Sequence, residues 1–201
     1  MIDPNGIRPR LSCVVETLSE TRQSDEQLAS EAAREGSDGP AFTELASRFR
    51  DRVWRICFQI MGHADDAADA AQDVLVRMFL QRANFEGRSK YSTWVHGIAV
   101  RTCLSLRRAR SRRQKRVSVL PGQDLDTKGA STDTPASAST DGRNLDEMLD
   151  TLGDEDRALV VMKYSQDHSY QELSQIFGLS ESACKMRVSR AVGRLRERHA
   201  G

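Results

Sequence analysis

The feature that most constrains this chain is a helical repeat of apolar residues with no competing β-type alternation of useful length. Phe42, Leu45, Phe49, Val53, Ile56 and Ile60 recur at three- and four-residue steps, which puts them on one face of a helix. Gly62 ends that helix, and a second is expected from about Asp65 to Arg82 with Val74, Leu75, Met78 and Phe79 as its apolar stripe. After a loop containing Gly87, a third carries Trp94, Ile98 and Leu106 inward. The helical period returns at Leu145, Met148, Leu149 and Leu152 and continues to the C-terminus. Between these blocks, residues 117–143 hold Pro121, Pro135 and a Ser/Thr/Ala/Asp-rich stretch that cannot bury enough apolar surface to offset ordering entropy. Hydrophobic residues make up only 38% of the chain, which favours small helical modules over one large core. The expected fold is all-α: two small helical domains, 38–116 and 144–198, joined by a flexible linker at 117–143. Residues 1–37 form a polar N-terminal extension in which Ser24, with Gln27 three places on, opens one short helix.

Composition closes several alternatives. No apolar run approaches the roughly 20 residues of a membrane helix, and Leu11–Val15 is too short for the apolar part of a signal peptide. Cys13, Cys57, Cys103 and Cys184 lie at least 44 residues apart, without Cys-x-x-Cys or a histidine at zinc-ligand spacing. Buried small hydrophobes in a reducing cytoplasm are the expectation, with no metal and no cofactor. Glycine-rich phosphate loops are absent. Net charge is +1 and predicts no partner, but its distribution does. Gly87 to Gln123 holds ten Lys/Arg and no acid, whereas residues 1–86 hold fifteen acids against ten bases. Such sorting suits a chain that faces polyanions in one place and cations in another.

The C-terminal block carries the sharper motif. Ser169-Tyr-Gln-Glu172 is a capping box opening a short helix with Leu173, Ile176 and Phe177 inward. Gly178 makes the turn, Leu179 plugs the core and Ser180 caps the next helix, which together constitute a helix-turn-helix. At about 100° per residue, Cys184, Val188 and Leu195 share the second helix's inner face, while Ser182, Met186, Ser189 and Arg190 point outward with Lys185 and Arg187 on the shoulders. That is a major-groove reader, shoulders on phosphate and centre on base edges. A solvated helix face is the plainer reading of the same residues.

In the N-terminal block, Asp66, Asp69, Gln72 and Asp73 step along the second helix with alanines between them. No histidine joins the face, so a docking surface for a basic partner fits better than a metal or acid–base site, and ordinary surface acids fit as well. The third helix and its leading loop interleave Phe85, Tyr91 and Trp94 with Arg88, Lys90 and Arg101, and Arg107 and Arg108 begin a run of seven cations in ten residues. Aromatics among cations suit single-stranded nucleic acid. Phe85 and Trp94 fit a core equally, and His63 and His96 read as ordinary polar residues.

Two stretches together resemble a known family. Asp65-Asp-Ala-Ala-Asp-Ala-Ala-Gln-Asp-Val-Leu75, followed by Phe85-Glu-Gly-Arg-Ser-Lys-Tyr-Ser-Thr-Trp-Val95, resembles region 2 of an extracytoplasmic-function sigma factor of the sigma-70 family. Tyr170-Gln-Glu-Leu-Ser-Gln-Ile-Phe-Gly-Leu-Ser180 and Lys185-Met-Arg-Val-Ser-Arg-Ala191 resemble its region 4. The resemblance implies a non-enzymatic, cytoplasmic subunit that directs bacterial RNA polymerase core to promoters and helps melt them. It implies that Asp66, Asp69, Gln72 and Asp73 dock on the polymerase clamp, and that the polymerase flap is also contacted. Arg88, Lys90, Tyr91, Trp94, Arg101, Arg107 and Arg108 are implied to engage the −10 element. Ser182, Lys185, Met186, Arg187, Ser189 and Arg190 are implied to engage the −35 element in duplex DNA. An anti-sigma partner is implied as well. Two departures bear on base preference: the family often has Asn at the position of Arg101 and Ser at that of Met186. The alternative is a helix-turn-helix regulator with no polymerase role, which needs neither an acidic docking face nor a single-strand patch.

Overall fold

Helix starts and stops follow the local chemistry. A computed structural model describes residues 23–36, 39–117 and 147–199, and among these there is no strand. Helix α1 (Asp25–Arg34) opens on the expected capping box: the Ser24 hydroxyl accepts from the Gln27 amide at 3.2 Å and the Ser24 amide donates back to Gln27 Oε1 at 3.0 Å. Helix α2 (Pro40–Met61) has proline at its first position, where no backbone donor is lost, and stops at Gly62, whose φ of 81° favours glycine. Helix α3 (Ala64–Leu80) follows at once, then a 3-10 turn at Arg82–Asn84 and the long α4 (Tyr91–Val117). The C-terminal part comprises a helical turn at 147–150, α5 (Asp154–Tyr164), α6 (Tyr170–Phe177) and α7 (Glu181–His199). Residues 1–22 and 118–146, where most of the expected extension and linker fall, lie outside the described residues, as does Cys13.

The first domain packs α2, α3 and α4 around Leu45, Phe49, Val53, Ile56, Ile60, Val74, Met78, Val95 and Ile98. The alanines of α3 do two jobs. Ala67, Ala70 and Ala71 are buried and let α3 lie close on its neighbours, and Ala68 alone is left exposed beside Asp69. Helix α1, expected in an extension outside this domain, is built into it. Leu28, Ala29 and Ala32 are buried, Arg48 pairs with Asp25 at 2.8 Å, and Arg82 donates to the carbonyls of Ala32 and Glu35. Glu26 also accepts from the Tyr91 amide at 3.1 Å, so a carboxylate of α1 sits at the N-terminus of α4, where the helix dipole favours it.

The second domain is the helix-turn-helix, α6 and α7 braced by α5, with Leu159, Met162, Leu173, Ile176, Cys184, Val188 and Leu195 buried. It lies against the first domain rather than apart from it, with α4 packed on α5 and α6, and α2 on α5. Helix α4 is accordingly buried all round from Val95 to Val100. Cys57, Cys103 and Cys184 are buried free thiols, and no helix among the described residues is long and apolar enough to cross a membrane.

The domains are pinned at the C-terminal end of α2. Arg107 of α4 donates to the carbonyls of Ile60 and Met61 at 2.8 and 3.2 Å and pairs with Asp154 at 2.7 Å. Arg157 of α5, fully buried, donates to the Gln59 carbonyl at 2.7 Å and pairs with Asp150. A buried cation needs such partners. Arg157→Met keeps most of the volume and removes the donors. It should lower the unfolding free energy by about 1.5–3 kcal/mol, the worth of hydrogen bonds to a charged group. Urea denaturation at neutral pH measures this, and an unchanged midpoint and slope would refute it.

Candidate nucleic-acid interface

The recognition helix is built from its turn. Ser169 and Glu172 form the full capping box of α6, with the Glu172 amide donating to the Ser169 hydroxyl at 3.1 Å and the Ser169 amide donating to Glu172 Oε2 at 2.9 Å. Gly178, at φ 66°, reverses the chain in the left-handed region, and the Ser180 hydroxyl accepts from the Ala183 amide at 3.2 Å to start α7. The angular reading of α7 holds. Cys184, Val188, Ala191 and Leu195 are buried, while Ser182, Lys185, Met186, Ser189 and Arg190 are exposed, Met186 at 53%.

Arg187 differs from its neighbours on α7. It is half-buried and spends its guanidinium on α5, with Nη2 2.8 Å from Asp156 Oδ1 and Nη1 3.0 Å from Glu155 Oε2. Burial alone would lower its pKa, but the hydrogen bonds to Glu155 and Asp156 outweigh that and raise it. Arg194 pairs with Asp156 as well. These pairs hold α7 against the acidic first turn of α5.

On α3, Asp69 and Gln72 are exposed and have no ion-pair or side-chain hydrogen-bond partner among the described residues. Asp66 pairs with Arg110, and Asp73 with Arg77 one turn on at 3.0 Å. The same exposed face continues into Val76, 50% exposed, and Leu80, 68% exposed. Periodicity does not single out these two, because the stripe it marks is Val74, Leu75, Met78 and Phe79. Val74 and Met78 are buried, whereas Leu75 and Phe79 are only half so. The signal available in sequence was six apolar residues in seven positions, more than one helix face can bury.

The aromatic and basic residues at the start of α4 divide. Tyr91 is buried, its ring packed edge-on to Phe49 and Phe85 at 5.4 and 5.1 Å and stacked on Trp94 at 5.5 Å. Burial pushes its phenol up from the usual tyrosine range. Trp94 is half-buried, with one part of the ring left to solvent. Arg88 is exposed beside Glu86. Arg101 is exposed at a cleft of about 510 Å³ floored by Val100, Leu104, Ile176 and Leu179, and desolvation lowers its pKa.

The remaining cations expected at the −10 element meet acids of the second domain. Lys90 lies 3.1 Å from Glu172, Arg107 2.7 Å from Asp154 and Arg108 2.8 Å from Glu155. Burial alone would raise the Glu172 carboxyl, but hydrogen bonds from the Ser169 amide, Lys90 and the Ser169 hydroxyl outweigh it and hold it down at about 2. No cluster of three or more His, Cys, Asp or Glu able to hold a metal ion occurs among the described residues.

Tyr91 and Trp94 are separable by stability. Tyr91→Ala should cost about 3–5 kcal/mol, as for other large buried rings, and Tyr91→Phe less than about 1.5 kcal/mol because shape is kept. Trp94→Ala should cost clearly less than Tyr91→Ala. Chemical denaturation of the three variants reads this, and the reverse order would move Trp94 into the core.

Comparison with known proteins adds two matches in chain order. The model of Sigma-70 region 2 matches residues 45–113 and that of Sigma-70, region 4 matches residues 142–195. The ECF RNA polymerase sigma factor SigE of Mycolicibacterium smegmatis is 30% identical over 161 residues, covering 79% of this chain and 61% of that one. SigW of Bacillus subtilis is 25% identical over 176 residues, covering 80% and 89%. Among solved structures, the sigma factor RpoE in complex with the anti-sigma factor NepR from Bartonella quintana superposes with a TM-score of 0.64 at 23% identity, covering 78% of this chain and 94% of that one. CnrH in complex with the cytosolic domain of CnrY gives 0.63 at 20%, covering 87% and 96%. At these identities the two structures speak for the fold.

Proposed function

Because the chain belongs to the extracytoplasmic-function branch of the sigma-70 family, we propose that it is the dissociable subunit that directs bacterial RNA polymerase core to a defined set of promoters. One observation carries this reading. A single chain pairs, in order, an exposed acidic face on α3 with a helix-turn-helix whose outer face is small and basic. A plain helix-turn-helix regulator has no need of the first.

The division of labour follows from charge and exposure. Residues 38–116, with α1 packed on them, form region 2, residues 144–198 form region 4, and 117–143 link them. Asp69 and Gln72, exposed and without partners among the described residues, make the primary contact with a basic surface of the polymerase clamp. Asp66 and Asp73 flank them, and Val76 and Leu80 extend the contact with apolar area. Arg88, Lys90 and Arg101 meet the phosphates of the opened −10 strand and Trp94 stacks on an unpaired base, while Tyr91 supports Trp94 from below. Ser182, Met186, Ser189 and Arg190 meet base edges of the −35 element, Lys185 meets phosphate, and Arg187 braces the helix through Glu155 and Asp156. Lys90, Arg107 and Arg108 must exchange Glu172, Asp154 and Glu155 for phosphate, so the domains part when promoter DNA is engaged. The chain supplies binding and positioning and leaves phosphoryl-transfer chemistry to the polymerase, in the cytoplasm. One solved structure described above is a sigma factor in complex with an anti-sigma factor, and we infer such a partner here.

The reading is tested by run-off transcription with purified core enzyme and a library of promoters. The expected result is chain-dependent initiation from one pair of −10 and −35 sequences. Duplex binding without any chain-dependent transcript would leave the regulator reading instead.

Reversing Asp69 to Lys should weaken association with core polymerase by several kcal/mol, the scale of a desolvated like-charge contact. Asp73→Lys should cost less, because Arg77 already neutralises it. Equal co-purification of wild type and Asp69→Lys with core enzyme would exclude this face.

Removing Arg190 should cost about 1–3 kcal/mol at one −35 base pair and relax preference there. Lys185→Ala should weaken all sequences alike and flatten the salt dependence by about one unit of log–log slope. Binding across single-base variants at several salt concentrations separates the two roles. Base preference altered by Lys185→Ala and untouched by Arg190→Ala would exchange them.

A further inference from the structure

His96 is a histidine that the function proposed above does not use. It lies on α4 at 2% exposure, and its Nδ1 is 2.7 Å from Nε2 of His168, which lies at 5% exposure in the loop between α5 and α6. One imidazole belongs to each domain, so the hydrogen bond crosses the interface between them. The loop is shaped to deliver His168: Asp167 takes the left-handed conformation at φ 53°, the His168 amide donates to the Met162 carbonyl at 3.2 Å, and Lys163 of α5 donates to the His168 carbonyl at 2.9 Å. His168 Nδ1 in turn lies 3.4 Å from Glu172 of α6, and Lys90, just before α4, is 3.1 Å from the same carboxylate.

These contacts select one arrangement of protons. His96 Nδ1–H donates to His168 Nε2, and His168 Nδ1–H donates toward Glu172, so both rings are neutral. His96 Nε2 is then a bare lone pair, buried and without a hydrogen-bond partner among the described residues. A proton added to His96 must go there. It would create a buried N–H with no acceptor and an imidazolium against a second imidazole, and the nearby Arg52 of α2 also opposes it.

We propose that the His96–His168 pair is a pH-operated latch between the two domains, closed at neutral pH and released by mild acid. Burial first, then His168 and Arg52, push His96 down to about 3. Burial also lowers His168, although Glu172 pulls the other way. When the domains part, both rings meet water and return to the ordinary histidine range near 6.5. A group whose pKa is depressed in the closed form favours that form fully above the open-state value and loses the advantage as pH falls below it. For His96 alone the closed-to-open ratio therefore drops about tenfold between pH 7.5 and 5.5, and His168 adds in the same direction. Glu172, held at about 2, stays charged throughout this window and plays no part in the release. Opening also frees Lys90 from Glu172.

Single-molecule FRET on the full chain reads the two populations without polymerase or DNA, so the result does not depend on the function proposed above. Dyes attached through noncanonical residues at Arg50 of α2 and Glu197 of α7, both exposed, report the domain separation. Expected is a roughly tenfold or larger fall in the closed-to-open ratio from pH 7.5 to 5.5, with far-UV circular dichroism unchanged. The control is His96→Asn with His168→Gln. Asn presents its amide near the place of Nδ1 and Gln near that of Nε2, so the hydrogen bond is kept and the titration removed. This variant should shift less than twofold. A pH-independent ratio in the wild type, an equal fall in the double variant, or loss of helix over the same window would each overturn the latch.

Discussion

Two guanidinium groups at the C-terminal end of α2 hold this molecule together. The last turn of any helix leaves carbonyls without backbone donors and carries the negative end of the helix dipole. Here those of Gln59, Ile60 and Met61 are taken by Arg107 from α4 and Arg157 from α5, one from each domain. Gly62 lets α2 stop there, and Asp154 and Asp150 balance the two cations. Because Arg157 reaches from the second domain to the Gln59 carbonyl of the first, the same contact that finishes α2 fixes the position of the second domain. The burial of α4 from Val95 to Val100 and the approach of His96 to His168 follow from it.

This closed arrangement uses charges that the proposed function needs elsewhere. Glu172, Asp154 and Glu155 take the positions near Lys90, Arg107 and Arg108 that phosphates would take. Protein carboxylates and DNA phosphates compete for the same cations, and partly exposed pairs of this kind are weak enough to exchange. Glu172 serves twice, as the capping residue that starts α6 and as the acid facing Lys90, so the fold of the helix-turn-helix and the closure of the domains share one side chain. Arg187 shows the other side of the same economy. It lies on the shoulder of α7 where a phosphate contact was expected, but Glu155 and Asp156 recruit it to hold α7 at its angle to α5.

The aromatic residues at the start of α4 divide by depth rather than by type. Tyr91 lies at the first position of the helix, where the Glu26 carboxylate receives its amide and Phe49 and Phe85 enclose its ring. Trp94, one turn on, rests on that platform with part of its ring outside. The interleaving of aromatics and cations is visible in the sequence, but which ring faces out depends on α1 and α2, which close over the first turn of α4.

Short-range chemistry settled most of what the sequence determined. Capping boxes at Ser24 and Ser169, the left-handed glycines 62 and 178, and the periodicities of α2 and α7 act within a few residues, so helices, turns and the outward face of Ser182, Met186, Ser189 and Arg190 could be read directly. The two family motifs lie within such segments and were legible for the same reason. Val76 and Leu80 escaped because an all-apolar stretch does not say which of its sides finds a neighbour. The docking of α1 onto α2, the commitment of Arg107, Arg157 and Arg187, and the pairing of His96 with a histidine 72 residues away were decided by tertiary structure alone. Each depends on which surfaces meet when helices distant in sequence pack. Local periodicity specifies that a face is apolar or charged, and only the packing specifies what it faces.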